Sequence, residues 1–241
     1  MIDTQVLQQL APDGVLRAAI NLGNPVLAQS GAGGEPQGVS VALARALAEE
    51  LGVGLELITF EAAGKVFAAL ADDVWRVAFL AIEPVREQQI AFSAPYVAIK
   101  GTYLVPTDSP LTHVTQVDAP GKRIAVGQGA AYDLYLSRTV QHVELVRAPT
   151  SAAAVDWFIE QGLDAAAGVR DFLQTRVSDH WRLVDDDFMT IRQAMAVPVA
   201  VPVAHAAAAA FVKSFVERQK ANGWVKRGLL DSGQSAELQA T

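Results

Sequence analysis

The sequence predicts an α/β fold of two lobes joined by two extended strands, and three observations carry that prediction. Strand-like and helix-like segments alternate through residues 15–87 as successive βα units. After a polar, proline-punctuated stretch at 106–120, the same alternation restarts at Arg123 and runs to Ala167. Two long extended segments, 90–105, with a turn expected at 93–96, and 188–199, stand where the chain would leave the first lobe and return to it. The expected division is 1–102 with 195–241 for lobe one and 103–194 for lobe two. Such a chain leaves an interlobe cleft, the default place for a small molecule, with the two strands as hinges.

In the first lobe, residues 15–20 read as a strand, with Asn21, Gly23 and Asn24 in the loop at its carboxyl end. Residues 30–38 are glycine-rich and polar, a surface hairpin or loop. Val39, Leu43, Leu47 and Leu51 recur at every fourth position, with Glu49 and Glu50 off that stripe, so 39–51 is an amphipathic helix that Gly52 stops. Residues 55–60 alternate as a second strand, and a short helix at 66–70 continues from the loop that holds Lys65. Phe79-Leu80-Ala81-Ile82 is an unbroken apolar run too short for a helix, hence a buried strand, and Pro84 fits the first turn of the helix after it. Arg86 then projects near the carboxyl end of that strand, where open α/β sheets bind ligands and a guanidinium can grip a carboxylate through two parallel hydrogen bonds.

The second series is strand 123–126, turn Gly127-Gln128-Gly129, helix 130–139, strand 143–147, helix 151–161, strand 163–167 and a turn at Gly168. The tail from Val203 to Leu230 reads as two helices divided at Asn222-Gly223.

Composition removes several function classes. A net charge of -7 argues against nucleic acid or an anionic membrane surface as partner. The absence of cysteine excludes disulfides, thiolate metal sites and a cysteine nucleophile. The most apolar tract, 194–211, is interrupted by Pro198, Pro202 and His205, so no membrane insertion is expected. Residues 1–14 have neither a basic n-region nor an apolar h-region, so no signal peptide is expected, which leaves a cytoplasmic location open. His113, His142, His180 and His205 lack metal-ligand spacing, and Asp185-Asp186-Asp187 lacks the calcium-loop pattern and reads as a solvated turn. Neither cofactor nor metal is expected, and the chain is expected to be a monomer.

The segments GVLRAAINLGNP, PQGVSVALARALAEELGV, AIEPVREQQIAFSAPYV, GKRIAVGQGAA, QGLDAAAG and KANGWVKRGLLDSG, in that order, resemble the family 3 periplasmic solute-binding proteins of ABC importers, the polar amino-acid binders. The resemblance implies a type II periplasmic-binding fold that closes on a small ligand, a non-enzymatic role, a periplasmic location and an ABC permease as partner. It also implies a ligand carboxylate held by Arg86, by a hydroxyl at the position of Ala81 and by a hydroxyl-bearing helix start at Gly129-Ala130-Ala131. The ligand ammonium would be held by an acid at the position of Val169, which Arg170 follows. Both hydroxyl positions are alanine here and the acid is apolar. An ammonium left there without its ion pair and facing Arg170 would cost on the order of a few kcal/mol. The expected ligand is therefore a carboxylate or dicarboxylate without an amine, or another small anion that suits Arg86 plus Arg170, and not a free α-amino acid.

Each candidate has a second reading. A cation at a helix start opposes the macrodipole, so Arg86 meets either a ligand carboxylate or Glu83 or Glu87. Glu83 is an imperfect N-cap or the partner of Arg86. It is also the only acid available to an enzymatic alternative, a lyase resembling the cyclohexadienyl dehydratases, although Arg86 beside it would lower its pKa. A cytoplasmic ligand sensor is the third function class. The Gly127-Gln128-Gly129 turn offers N–H groups to an anion or is a simple tight turn. Arg170 reaches a ligand or pairs with Asp171 or Asp164. Lys65 reaches the cleft or is solvated, and Asn21 and Asn24 line the first-lobe wall or cap their turn.

Overall fold

The computed structural model describes residues 2–199 and 206–241. The start of the expected tail helix at Val203, together with Pro202 and His205, lies outside the described residues. The elements, in chain order, are α1 (Thr4–Leu10), β1 (Val15–Asn21), β2 (Gln29–Ser30), β3 (Pro36–Gln37), α2 (Val39–Leu51), β4 (Gly54–Phe60), α3 (Ala63–Ala68), β5 (Val77–Ala81), α4 (Pro84–Glu87) and β6 (Ile90–Pro106). They continue with β7 (Arg123–Gly127), α5 (Ala131–Thr139), β8 (Glu144–Ala148), α6 (Ser151–Glu160), β9 (Ala165–Val169), α7 (Arg170–Gln174), β10 (Trp181–Leu183), β11 (Met189–Pro198), α8 (Ala206–Ala221) and α9 (Trp224–Asp231).

The chain divides into two compact units. Unit 1 comprises Met1–Glu61, Lys65–Ala98 and Arg192–Thr241, and unit 2 comprises Ala62–Gly64 and Ile99–Ile191. The change of unit falls inside β6 and inside β11, at 98/99 and 191/192. The polar stretch 106–120, expected to mark the crossing, lies wholly in unit 2, because β6 itself makes the crossing.

In unit 1 the strand order is β4-β1-β5-β11-β6. β1 runs parallel to β4 and β5, and β11 is antiparallel to β5 with Gln193 opposite Ala81. Every residue of β5 is buried, which is why its sequence is unbroken in apolar character, while β4 alternates exposed and half-buried residues as an edge strand does. The predicted stripe of α2 is buried at Val39, Leu43, Leu47 and Leu51, and Gly52 ends the helix at φ 69°, in the left-handed region that favours glycine. Residues 29–37 form the expected hairpin from β2 and β3. The hydroxyls of Ser40 and Tyr96 satisfy each other at 2.9 Å in the buried interior. The first helix, α1, was not foreseen; the Asp3 carboxylate caps it by accepting from Gln5 N at 2.8 Å.

In unit 2 the order is β6-β9-β7-β8, with β10 also paired to β6. β7 is parallel to β8 and β9, whereas β9 and β10 are antiparallel to β6. The core includes Leu104, Ala125, Val155, Phe158, Ala166 and Leu173. Gly168, expected as a turn, is instead inside β9, opposite Thr102. The reason is packing: a Cβ on Gly168 would lie 3.0 Å from the side chain of Leu173, so the glycine admits α7 against the strand rather than bending it.

Candidate functional site

In unit 1 the site grows from the end of β5. Ala81 closes the strand, Glu83 caps α4 through its backbone by accepting from Arg86 N at 2.9 Å and Glu87 N at 3.1 Å, and Pro84 occupies the first turn as predicted. Arg86 folds back over this junction. Its Nη1 donates to the Ala81 carbonyl at 2.9 Å, and the residue is only 1 % exposed. Glu83 is buried beside it at 3 % exposure, whereas Glu87 is exposed. Burial lowers the Arg86 pKa to about 10, and the charge of Glu83 opposes that shift. Of the two acids weighed as its compensator, the buried Glu83 is therefore the one that acts on Arg86.

The other first-lobe candidates do not gather at this junction through any polar contact. Asn21 Oδ1 accepts from Gly23 N at 2.9 Å and Asn24 Oδ1 from Val26 N at 3.3 Å, so both cap their turn. Gly23 is required there, since a Cβ would come within 2.3 Å of the Glu61 carbonyl. Lys65 pairs with Glu61 at 2.6 Å, with both side chains at least half exposed, which is the solvated reading.

In unit 2 the Gly127-Gln128-Gly129 turn has its donors engaged. Gln128 N donates to Ala148 O at 2.8 Å, Ala130 N to Gly127 O at 3.0 Å, and Gly129 N to Asp133 Oδ2 at 2.8 Å. The tight-turn reading thus accounts for the loop, and the expected offer of the Gly129 N–H to an anion is corrected: Asp133, in the first turn of α5, takes it. Asp133 is 3 % exposed and accepts from Arg147 Nε at 3.0 Å on its other oxygen. Ala130 is the N-cap of α5 and contributes no side-chain bond. Tyr132 Oη donates to Ser151 Oγ at 2.8 Å, and burial pushes its pKa up to about 12.

Val169 ends β9, 8 % exposed, and caps α7 with its backbone alone. Arg170 does not pair with Asp171 or Asp164. Its Nε bonds Asp187 Oδ1 at 2.5 Å, and its Nη2 bonds Asp186 O at 2.8 Å and Thr102 Oγ1 at 3.2 Å. Asp164 stands just before β9 and Arg170 just after it, about 20 Å away at strand rise, and residues adjacent on a helix do not face each other. Asp164 pairs instead with Lys122 at 2.8 Å and accepts from Arg123 N at 2.8 Å. Residues 185–187 are likewise more than a solvated turn: Asp186 Oδ1 accepts from Val114 N at 2.8 Å and Asp185 N donates to Thr112 O at 2.8 Å. Among the described residues no group of histidine, cysteine or acidic side chains could hold a metal ion.

With this geometry in hand, the chain matches the family of bacterial extracellular solute-binding proteins, family 3, over residues 16–229. The chain belongs to this family. Several solved structures are similar to this solute-binding protein. A mutant of the arginine-binding protein ArgBP of T. maritima has 20 % identity and a TM-score of 0.80 over 95 % of this chain and 99 % of that one. The cysteine-binding protein of Campylobacter jejuni has 20 % identity and a TM-score of 0.79 over 94 % and 92 %. The ancestral amino acid-binding protein AncCDT-1, described as a precursor of cyclohexadienyl dehydratase, has 19 % identity and a TM-score of 0.78 over 93 % and 98 %. No curated protein sequence matches. At these identities the structures bear on the fold, which is the two-lobed α/β fold of periplasmic binding proteins expected from the sequence. Among the described residues no helix is long and apolar enough to cross a membrane.

Sequence reasoning missed Asp133 and Asp187 as the residues that settle the roles of Gly129 and Arg170. The first was open to discovery, since an acid in the first turn of a helix is the usual partner of a donor just before it. No local pattern ties Asp187 to Arg170, which pair across 17 positions.

Proposed function

We propose that this solute-binding protein takes a small carboxylate, or another small anion, that carries no amine, with Arg86 as its anchor. The observation that supports the reading most is Val169: the residue at the family's amine-binding position is apolar and 8 % exposed, and its neighbour Arg170 is already tied to Asp187. A ligand ammonium placed against it would lose its ion pair, a difference on the order of a few kcal/mol, or about 100-fold in affinity. Arg86, charged at neutral pH and set at the carboxyl end of β5, retains the carboxylate half of an amino-acid site. The role follows from the ligand: uptake through an ABC permease or sensing of a small acid. Isothermal titration of the full chain with 2-oxo acids, dicarboxylates and L-amino acids tests it. Micromolar or tighter binding of an acid without an amine is expected, and tight binding of an ordinary L-amino acid would overturn the proposal.

A second reading rests on Glu83, a carboxyl group 3 % exposed beside a guanidinium. A lyase acting on a cyclohexadienyl acid would use it as general acid. Prephenate turnover abolished by Glu83→Gln would favour this reading, and a lack of turnover leaves binding alone.

A further inference from the structure

Three cations are candidates for the ligand: Lys65, Arg86 and Arg170. Lys65 is spent on Glu61 in the open. Arg170 is held more elaborately, and entirely within unit 2. Its Nε bonds the Asp187 carboxylate, with both side chains about 70 % buried (30 % and 28 % exposed). Its Nη2 reaches Asp186 O at 2.8 Å, Thr102 Oγ1 at 3.2 Å and Val184 O at 3.4 Å. Thr102, fully buried in β6, donates its own hydroxyl to Asp186 O at 2.7 Å. The segment 184–188 is thereby fastened to β6 along its length: Val184 N donates to Tyr103 O at 3.1 Å and Phe188 N to Gly101 O at 2.9 Å. Gly101 is needed for this approach, because a Cβ would lie 2.9 Å from Met189 Cγ and 3.0 Å from Phe188 Cε2. The same fastening sets the Phe188 ring 4.7 Å from Tyr103 and 5.9 Å from Tyr135.

We infer that Arg170 is a positioning residue and not a ligand group: it pins the segment before β11 onto β6, Asp187 neutralises it, and the ligand therefore carries one carboxylate rather than two. The last step rests on the carboxylate proposal above and narrows it. A guanidinium whose charge is matched by a carboxylate, and whose Nε and Nη2 are directed to protein acceptors, has little field left for a second ligand carboxylate. Of the three candidates that leaves Arg86, which itself bonds the Ala81 carbonyl and stands beside Glu83. With Glu83 counted, one ligand carboxylate already takes this buried junction to a net charge of about -1, and a second would take it to about -2, a further burial of uncompensated charge.

The test uses the full chain with Arg170→Gln and Asp187→Asn, and two probes: 2-oxoisocaproate with one carboxylate and 2-oxoglutarate with two. Backbone hydrogen exchange across 184–189 should rise at least tenfold in both variants, while Arg170→Gln changes the 2-oxoisocaproate Kd by less than threefold. Asp187→Asn uncovers the arginine charge, so the ratio of 2-oxoglutarate to 2-oxoisocaproate affinity should rise at least fivefold, a change that loss of packing alone would not produce in that direction. Unchanged exchange in both variants overturns the tie whatever ligand is found. A wild-type preference for 2-oxoglutarate that Arg170→Gln abolishes overturns the assignment of one carboxylate. If an L-amino acid binds in place of both probes while exchange rises as expected, the carboxylate proposal fails and the tie stands.

Discussion

Replacing Arg86 by methionine keeps the length of the side chain and removes its charge at a position 1 % exposed. The loss falls on two partners. The Ala81 carbonyl loses a donor at 2.9 Å, and the Glu83 carboxylate, 3 % exposed, loses the cation whose proton it helps to hold. Removing one member of a buried charge pair costs about 3–5 kcal/mol, because the remaining charge stays buried without compensation. For a chain of this size each kcal/mol shifts Tm by about 2–4 °C, so a fall of roughly 6–20 °C is expected. The double variant Glu83→Gln with Arg86→Met should recover at least half of that loss, since removing both charges is often close to neutral. Thermal unfolding followed by tryptophan fluorescence suits the measurement, because Trp75 lies in unit 1 with 1 % exposure. A chain of two units need not unfold in one step, so transition midpoints are compared rather than extrapolated free energies. A Tm lowered by less than about 2 °C in Arg86→Met, or a double variant as unstable as the single one, would refute the coupling of Arg86 to Glu83.

Three further outcomes follow from the same structure. Burial holds the Arg86 pKa at about 10 against the opposing charge of Glu83, so affinity for a carboxylate should be flat from about pH 6 to 9 and fall about tenfold per unit above about 10, as titration across that range would reveal. Asp118 and Asp164 sit in part against burial, which pushes their carboxyls up, but the N–H groups of Gln141, His142 and Val143 and the Lys122 ammonium with Arg123 N more than offset it, and both end below the ordinary carboxylate range. Carboxyls depressed in this way stabilise the fold fully above the unfolded pKa near 4, and the contribution is lost as pH falls through their lower folded values; Asp118→Asn should flatten the acid limb of Tm against pH below about 4. Val169→Asp puts an acid at the position proposed to face a ligand amine, and calorimetry should show affinity for L-alanine relative to pyruvate rising at least tenfold, or about 1.4 kcal/mol.

How much of this was legible follows from how local each interaction is. The stripe of α2 and the apolar run of β5 were readable because burial imposes a period on adjacent residues, and Val39, Leu43, Leu47 and Leu51 are indeed all buried. The junction of Glu83, Pro84 and Arg86 was readable for the same reason, since three residues and one turn build it. The extension of β9 through Gly168 was not, because the strand exists by pairing with residues 101–104, more than 60 positions earlier. β10 depends in the same way on residues 104–106. The role of Arg170 was hidden by the same distance: its partners Thr102 and Asp187 lie 68 and 17 positions away, whereas the acids adjacent to it in sequence turned out to be irrelevant to it. Asp133 differs, since it lies only four positions after Gly129, whose N–H it accepts, and the glycine turn before it conceals that role.

The most direct measurement is calorimetric titration of the unmodified chain with matched pairs that differ only at the amine: pyruvate against L-alanine, and 2-oxoisocaproate against L-leucine. The carboxylate account predicts that the oxo acid of at least one pair binds about 100-fold more tightly than its amino partner, and that Arg86→Met abolishes that binding below its unfolding transition. Tighter binding of the L-amino acid in every pair would contradict it.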